Sequence, residues 1–152
     1  MKEIFGDLFA YYKKEGYVLC ITTNGFVKNN GEGVMGRGCA QEAAEEDPTL
    51  PKLLGKSLVA RGNNLSLLTD HILSFPVKHN WFEEADINLI RRSTSQLIDF
   101  AKARPNTKFI LPRPGCGNGR LNWDRTVKPL LESLNLPDNI IVIGFWEEGH
   151  KK

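Results

Sequence analysis

Short apolar runs, separated by polar stretches that contain most of the glycines, form the main pattern along the chain. Each run is short and rich in Ile, Leu, Val or Phe, which is typical of strands that are buried on both faces. The runs occupy residues 17–22, 65–68, 71–75, 108–111 and 140–145. A tight turn at Thr69-Asp70 is expected to join the second run to the third. We expect one further strand within the first ten residues.

Helices are predicted between these runs, where apolar residues recur at spacings of three and four. Residues 86–104 show the spacing most clearly, and Pro105 ends it. Its periodic positions are Ile87, Ile90, Thr94, Leu97, Ile98 and Ala101. Residues 39–46 predict a second helix that ends at Asp47-Pro48, and Asn122 is a suitable N-cap for a third. The apolar stripe of that third helix is Trp123, Val127, Leu130, Leu131 and Leu134. Alternating strands and helices predict an α/β fold, with a mostly parallel sheet and helices on both of its faces.

Two clusters of glycine, at residues 31–38 and 115–119, each follow a buried strand and lead into a helix. Ligands of such sheets bind beyond the carboxyl ends of the strands, so we expect both loops at the same edge. The start of a helix offers unpaired N–H groups and a positive dipole end, which attract phosphate. Arg37 could add a charge-assisted contact. Two such loops side by side therefore predict a site that holds a diphosphate from both sides.

The first glycine loop also formally matches a dinucleotide-binding fingerprint, through Gly31-x-Gly33-x-x-Gly36. The match is weak, because residues 23–30 separate the loop from its strand. The acidic residue expected about 20 positions further on is not evident either. A glycine-rich surface loop without a ligand is the other alternative for this segment.

Composition and charge add few constraints. The chain has 152 residues, no repeat and no long linker, so we expect one domain and a monomer. Its 20 Lys and Arg against 18 Asp and Glu give a formal net charge of +2, which neither requires nor excludes nucleic acid. No apolar run approaches the roughly 18 residues of a membrane span, and the N-terminus lacks the apolar core of a signal peptide. Three scattered cysteines argue against a disulfide framework or a zinc ribbon, so we expect a reducing cytoplasm. No cluster of His, Cys, Asp or Glu has the spacing of metal ligands, so we expect no metal, and we expect no cofactor.

Several segments of the chain resemble motifs of the macrodomain family, the ADP-ribose-binding module, in the family's order and at compatible distances. They are Gly6-Asp7-Leu8, Cys20-Ile21-Thr22-Thr23-Asn24, Gly33-Val34-Met35-Gly36-Arg37-Gly38, Phe75-Pro76-Val77-Lys78-His79-Asn80-Trp81 and Gly115-Cys116-Gly117-Asn118-Gly119-Arg120-Leu121-Asn122-Trp123. The resemblance runs from Gly6 to about Trp146. It is strongest to the branch that contains ADP-ribose-1''-phosphate phosphatases and DNA- or glutamate-directed ADP-ribosyl glycohydrolases. It implies a single macrodomain over residues 1–152, folded as a three-layer α/β/α sandwich with a mixed, mostly parallel sheet.

The resemblance also implies roles for individual residues. Asp7 would accept a hydrogen bond from the adenine amino group, Asn24 would orient the distal ribose, and Lys78 would lie near the group that leaves this ribose. The further ligand contacts that it implies are Gly33, Val34, Met35, Gly36, Arg37, Gly38, Gly115, Cys116, Gly117, Asn118, Gly119 and Phe145. The implied ligand is ADP-ribose, free or attached to protein or nucleic acid, with no membrane partner.

Two functions follow from this resemblance. The first is hydrolysis at the distal ribose, of an ADP-ribosyl adduct or of ADP-ribose-1''-phosphate, with Lys78 and Asn24 as the catalytic residues. The second is a reader or sensor that binds ADP-ribose, or a related NAD-derived nucleotide, without turning it over. Some relatives carry an acid–base Asp in the second loop, but this chain has Gly119 there, or Asn118 if the alignment shifts by one. That departure puts an Asp-assisted mechanism in doubt.

The candidate residues also have simpler interpretations. Lys78 could be a nucleophile or an electrostatic catalyst, or only a solvated lysine or a phosphate contact. Cys116 has no base beside it in the sequence and is not expected to be a nucleophile. Asp7 could be a turn residue, Asn24 a loop cap, and Phe145 a core residue instead of a stacking partner for adenine.

Overall fold

A single sheet organises the part of the chain that the computed structural model describes, residues 1–145; Trp146, the end of the resemblance, lies outside these residues. Within residues 1–145 the strands are β1 Lys2–Phe5, β2 Tyr17–Asn24, β3 Ser66–Thr69, β4 Ile72–Lys78, β5 Lys108–Pro112 and β6 Ile140–Gly144. Their order in the sheet is β1-β6-β5-β2-β4-β3. β3 and β4 pair antiparallel, and the other described pairs are parallel. The predicted mixed, mostly parallel sheet is confirmed.

Helices cover both faces of the sheet. The α-helices of the described part are α1 Gly38–Glu46, α2 Leu50–Arg61, α3 Ile87–Lys102 and α4 Lys128–Ser133. One apolar cluster joins the sheet to α3 and α4, and another joins it to α1 and α2. Along β2, Val18 and Cys20 belong to the first cluster, while Leu19 and Ile21 belong to the second. This alternation explains why the strands are apolar at nearly every position.

Side chains cap two of the helical segments; the Asn122 cap was predicted, whereas Asp86, expected inside its helix, stands just before it. The Asp86 carboxylate accepts a hydrogen bond of 2.8 Å from Asn88 N at the start of α3. The Asn122 side chain accepts one of 2.7 Å from Arg125 N, where a π-helical turn, Trp123–Val127, leads into α4. Each cap satisfies an N–H group that has no partner within its own helix. None of the helices in residues 1–145 is long and apolar enough to cross a membrane.

Helix α2 is an element that the sequence pattern did not predict. Pro51 stands in its first turn, where the missing N–H group costs nothing. Gly55, in the middle of the helix, weakens the helical signal. The structure explains this glycine, because a Cβ on Gly55 would lie only 1.8 Å from the carbonyl oxygen of Gly31. The first glycine loop thus packs directly on α2, at a distance that excludes a side chain.

The contact predicts an unusual response to an alanine at position 55. Replacing glycine by alanine within a helix normally stabilises it by roughly 1 kcal/mol. Gly55→Ala should instead lower the free energy of unfolding, by about 1–3 kcal/mol, because the added methyl group displaces the Gly31 backbone. Val59→Ala, at a 75% exposed position of the same helix, serves as the control and should change stability little. Denaturant unfolding of both variants measures the difference, and a stabilised Gly55→Ala protein would contradict the packing described.

Candidate functional site

A cleft of about 1140 Å³ opens at the carboxyl ends of the parallel strands. The end of β2 contributes Asn24, the end of β4 Lys78, and the end of β6 Gly144. The first glycine loop with the start of α1 lines one part of the cleft, and the second glycine loop lines another. The two loops therefore lie at the same sheet edge, as expected.

The two loops meet across the cleft. A Cβ on Gly38, whose φ is +60°, would lie 3.1 Å from Nδ2 of Asn118 in the second loop. Gly36 and Gly117 both line the cleft, and a Cβ on either would meet no atom within 4 Å. Backbone without a side chain is therefore exposed in both loops, next to the first N–H groups of α1. Such an arrangement suits an extended anion such as a diphosphate.

Gly33 and Met35, two of the expected ligand contacts, do not line the cleft. Gly33 N donates a hydrogen bond of 2.8 Å to Pro51 O, and a Cβ on Gly33 would lie 2.6 Å from the Leu54 side chain. Met35 is buried in the apolar cluster beneath α1 and α2. The structure therefore gives these two residues a packing role, because this half of the loop is attached to α2. Val34, between them, does line the cleft.

One end of the cleft is acidic. Asp7 is exposed there and caps a 3₁₀ turn, accepting a hydrogen bond of 3.0 Å from Phe9 N through Oδ1. Glu42 and Glu45 of α1 line the same cleft. Burial raises the pKa of the Glu42 carboxyl, and the negative charges of Asp7, Glu46 and Glu45 raise it further. Asp7 therefore caps a turn and also lines the cleft. The sequence analysis had treated a turn residue and a ligand contact as alternatives.

Arg113 and Phe145 lie beyond the ends of β5 and β6. Phe145 lines the cleft and is 78% exposed, so it does not pack in the core. The Arg113 guanidinium lies on the backbone of Gly144 and 4.8 Å from the centre of the Trp123 ring. The sequence analysis did not identify Arg113 as a cleft residue, although its position between two prolines, just after a strand, could have indicated it. Trp123 is buried, in agreement with a packing role.

Buried polar atoms without partners occur beside the cleft. Within residues 1–145 they are Thr23 Oγ1, Asn63 Oδ1 and Arg113 Nε. Thr23 and Arg113 both line the cleft. A buried polar group without a partner costs free energy, so such groups are uncommon unless a ligand or water satisfies them.

Asn24 and Lys78 are neighbours in the sheet. Their Cα atoms are paired in the register of β2 and β4, just after a shift that leaves Val77 as an extra residue. Asn24 Nδ2 donates to Val34 O at 3.2 Å, and its Oδ1 accepts from Phe26 N at 3.0 Å. Asn24 therefore lines the cleft and also holds the first glycine loop in place.

The Lys78 side chain is partly buried, and its Nζ donates to Trp81 O at 3.4 Å. Burial lowers the pKa of this amine, and the positive charges of Arg37 and Arg120 lower it further. A larger fraction of Lys78 is therefore neutral at a given pH than of an ordinary lysine. This is the condition that an amine nucleophile needs.

Asn63, which sequence reasoning missed, fixes the backbone of Lys78. The Lys78 carbonyl accepts hydrogen bonds from Asn63 Nδ2 at 2.9 Å and from Gly25 N at 3.1 Å. Arg92 of α3 in turn donates to Asn63 O at 2.5 Å. These contacts join segments that are distant in sequence, so no local sequence pattern predicts them.

Comparison with known proteins supports this arrangement only at the level of the fold. No protein-family profile and no curated protein matches the sequence. Among solved structures, DarTG of Thermosipho africanus in complex with ADP-ribose is similar at a TM-score of 0.74 and 21% identity, over 97% of this chain and 42% of that chain. This chain thus spans less than half of the length of that DarTG chain. The chain has the macrodomain fold. The macrodomain of Thermus aquaticus DarG gives a TM-score of 0.71 at 22% identity, over 95% and 96% of the two chains. The macrodomain of Mycobacterium tuberculosis DarG gives a TM-score of 0.70 at 19% identity, over 94% of this chain and 97% of that chain.

In this macrodomain fold, Cys116 is not activated as a nucleophile, and His79 does not line the cleft. Burial raises the pKa of Cys116 to about 11, and its Sγ donates to Pro114 O at 3.4 Å. His79 forms a 2.8 Å contact with Asp86, the residue that caps α3. No group of three or more His, Cys, Asp or Glu residues in the described part could hold a metal ion.

Gly119 is one of the two positions, with Asn118, at which the resemblance would expect an acidic residue, and the loop has no room for a side chain at position 119. A Cβ at this position would lie 2.5 Å from Gly115 O and 2.8 Å from the Ala85 methyl carbon. The Gly119 carbonyl accepts a hydrogen bond of 3.0 Å from Ala85 N, which fixes the loop at this point. The loop conformation itself therefore excludes an acidic side chain at position 119.

Two alanine substitutions in the second loop should separate packing glycines from open ones. Gly119→Ala should lower the melting temperature, because its methyl group overlaps the Gly115 carbonyl. Gly117→Ala should leave the melting temperature nearly unchanged, since a Cβ at position 117 has open space around it. Thermal unfolding of the two variants side by side measures this. Equal melting temperatures would mean that the loop does not hold the conformation described.

Proposed function

We propose that the cleft binds ADP-ribose and that the protein removes a group attached to the distal ribose. The observation that carries the binding proposal is the pair of open glycines, Gly36 and Gly117, in two loops that meet at the start of α1. The ADP-ribose complex of the similar DarTG structure supports the choice of ligand. ADP-ribose, free or attached to a protein or a nucleic acid, is the proposed class of partner.

Asp7 is the proposed adenine-reading residue. Its Oδ1 accepts from Phe9 N, and no hydrogen bond to Oδ2 is formed within the described residues. A carboxylate oxygen accepts from the adenine amino group but repels the carbonyl oxygen of hypoxanthine. Phe145, exposed on the same cleft, is the proposed stacking surface for the base.

Lys78 and Asn24 are the proposed catalytic residues at the opposite end. Their adjacent positions in the sheet place an amine of lowered pKa beside an amide. Such a lysine can act as a nucleophile or as an electrostatic catalyst beside the anomeric carbon of the distal ribose. Asn63 and Gly25 hold the Lys78 backbone and would maintain its position during the reaction.

A reader that binds without turnover is the second candidate, and Gly119 favours it. The second loop offers no acid there and has no space for a side chain. A site without a positioned proton donor lacks a contribution of typically 10²–10⁴-fold to the rate. For either function we propose a monomer in a reducing cytoplasm, where Cys20, Cys39 and Cys116 remain free thiols.

Binding and base recognition are tested together through Asp7→Asn. The asparagine oxygen can still accept from Phe9 N, so the turn is preserved, while the amide NH₂ group then faces the base. The wild-type protein should bind ADP-ribose more tightly than IDP-ribose by calorimetry. Asp7→Asn should reduce or reverse this preference, because a donor now faces the amino group of adenine.

The control for binding is Gly117→Glu, which places an anion in the open part of the second loop. It should abolish binding while circular dichroism stays unchanged. Unchanged base preference in Asp7→Asn would leave Asp7 as a turn residue only. No calorimetric heat from wild-type protein at millimolar ADP-ribose would refute the binding proposal itself.

Substitutions of Lys78 distinguish an enzyme that turns over its ligand from a reader that only binds it. Lys78→Ala should greatly reduce release of free ADP-ribose from an ADP-ribosyl substrate while weakening ADP-ribose binding much less, since a catalytic interaction acts mainly in the transition state. Wild-type turnover should rise with pH as the amine loses its proton, and it should level off below the usual lysine pKa of 10.5. Lys78→Arg keeps the charge but cannot act as an amine nucleophile. Full activity of Lys78→Arg would exclude the nucleophile, and full activity of Lys78→Ala would remove Lys78 from the mechanism.

A further inference from the structure

Strand β2 ends in three polar residues, Thr22, Thr23 and Asn24, which all line the cleft. Thr22 Oγ1 lies 3.3 Å from Cys39 Sγ, and the Asn24 side chain bonds to two backbone groups of the loop that follows the strand. Thr23 differs from both of its neighbours. It is only 4% exposed, and its Oγ1 has no hydrogen-bond partner within residues 1–145.

A hydroxyl group buried without a partner is unfavourable. Valine has a similar shape and no polar group to satisfy, so threonine at such a position costs free energy relative to valine unless its hydroxyl group is bonded. The preceding positions of the strand, residues 18–21, are buried and apolar. The hydroxyl group of Thr23 therefore indicates a partner that enters through the cleft.

The strand pairing around Thr23 explains why a ligand can reach this residue. β2 pairs with β5 only as far as Leu19 and Ile110, so its carboxyl end has no β5 residue beside it in the ladder. On the other side Thr23 pairs with Pro76 of β4, and the register shifts directly afterwards. A proline has no N–H group to donate to the ladder. The sheet is thus loosely paired on both sides of Thr23, at the edge where the cleft opens.

The other two buried polar atoms without partners in the described chain belong to different surroundings. Asn63 does not line the cleft, and its amide NH₂ group already donates to the Lys78 carbonyl. The Arg113 side chain is 31% exposed, and its Nη2 lies 3.9 Å from a carboxylate oxygen of Glu3. Of the three, Thr23 therefore combines full burial of the side chain with a place in the cleft.

The chemistry of a threonine hydroxyl group suits a sugar. It carries no charge, and it can donate one hydrogen bond and accept others. A sugar hydroxyl group has the same capacity, so either partner can be the donor. The diphosphate is provided for by the open loop backbone at Gly36 and Gly117. Thr23 instead adjoins Asn24, which pairs with Lys78, and these two residues are the ones proposed to act at the distal ribose.

We propose that Thr23 is a further ligand-binding residue, whose hydroxyl group bonds to a hydroxyl group of the distal ribose. This inference rests on the proposed function and adds a specificity determinant to it. ADP has the same base and diphosphate but no distal ribose, so it leaves the Thr23 hydroxyl group unpaired. Thr23 should therefore help the protein to distinguish ADP-ribose from ADP.

The test combines thermal unfolding of the free protein with calorimetric binding of ADP-ribose and of ADP, for wild type and Thr23→Val. The free variant should melt no lower than wild type, because the substitution removes a buried hydroxyl group that has no partner. Its affinity for ADP-ribose should fall by about three- to tenfold, the effect of one neutral hydrogen bond. Its affinity for ADP should not change. ADP-ribose is the product of the proposed reaction, so turnover does not disturb the measurement.

Two further variants serve as controls. Thr23→Ser keeps the hydroxyl group and should retain most of the affinity for ADP-ribose. Thr94→Val makes the same change at a buried threonine of α3 that does not line the cleft and whose Oγ1 donates to Ile90 O at 2.7 Å. Thr94→Val should leave both affinities unchanged.

The outcomes distinguish the role of Thr23 from the function on which it rests. Failure of wild type to bind ADP-ribose refutes the proposed function. Wild-type affinity of Thr23→Val for ADP-ribose refutes the role of Thr23 alone, as does a lower melting temperature of the free variant, which would assign the hydroxyl group to the fold. A loss in Thr23→Ser as large as in Thr23→Val would assign the effect to packing. Equal losses for ADP and ADP-ribose would overturn the assignment to the distal ribose.

Discussion

The contact of Gly31 with Gly55 determines where the first glycine loop runs, and much of the cleft depends on it. The Gly31 carbonyl occupies the space of a side chain on α2, and Gly33 N donates to Pro51 O two residues later. From this anchor the chain turns back, and Asn24 holds it again at Val34. The stretch from Val34 to Gly38 is thereby held at its start and leads directly into α1. It presents open backbone at Gly36 without freedom to fold away.

The glycines of the two loops and of the adjoining helix α2 therefore have two distinct physical roles. Gly55, Gly33 and Gly119 allow backbone or side chains to approach more closely than a methyl group permits. Gly36 and Gly117 have space around them and leave that space to a ligand. Both roles use the absence of a side chain, but the first stabilises the fold and the second does not. A site that holds an extended anion with backbone groups needs both, because open loops require rigid supports.

The sequence predicted the parts of the structure that depend on local pattern. The buried runs became strands, Asn122 became a cap, and both glycine loops reached the same sheet edge. It failed at α2, because the glycine that weakens the helical signal is explained by a contact with a loop 24 residues earlier. For the same reason, the sequence could not distinguish glycines that pack closely against other residues from glycines with open space around them. Asn63 and Arg113 were missed because their contacts join segments that are distant in the chain.

The electrostatics of the cleft bear on the kind of chemistry that it can support. Position 119 has no room for a proton donor, and burial together with two arginines lowers the pKa of Lys78. A leaving group that must be protonated as it departs is poorly served by such a site. A leaving group that departs as a stable anion needs no such proton donor. The positive charges of Arg37 and Arg120, which act on Lys78, would favour negative charge that develops nearby. The absence of an acid at Gly119 and the positive charges around Lys78 are thus compatible features of one site.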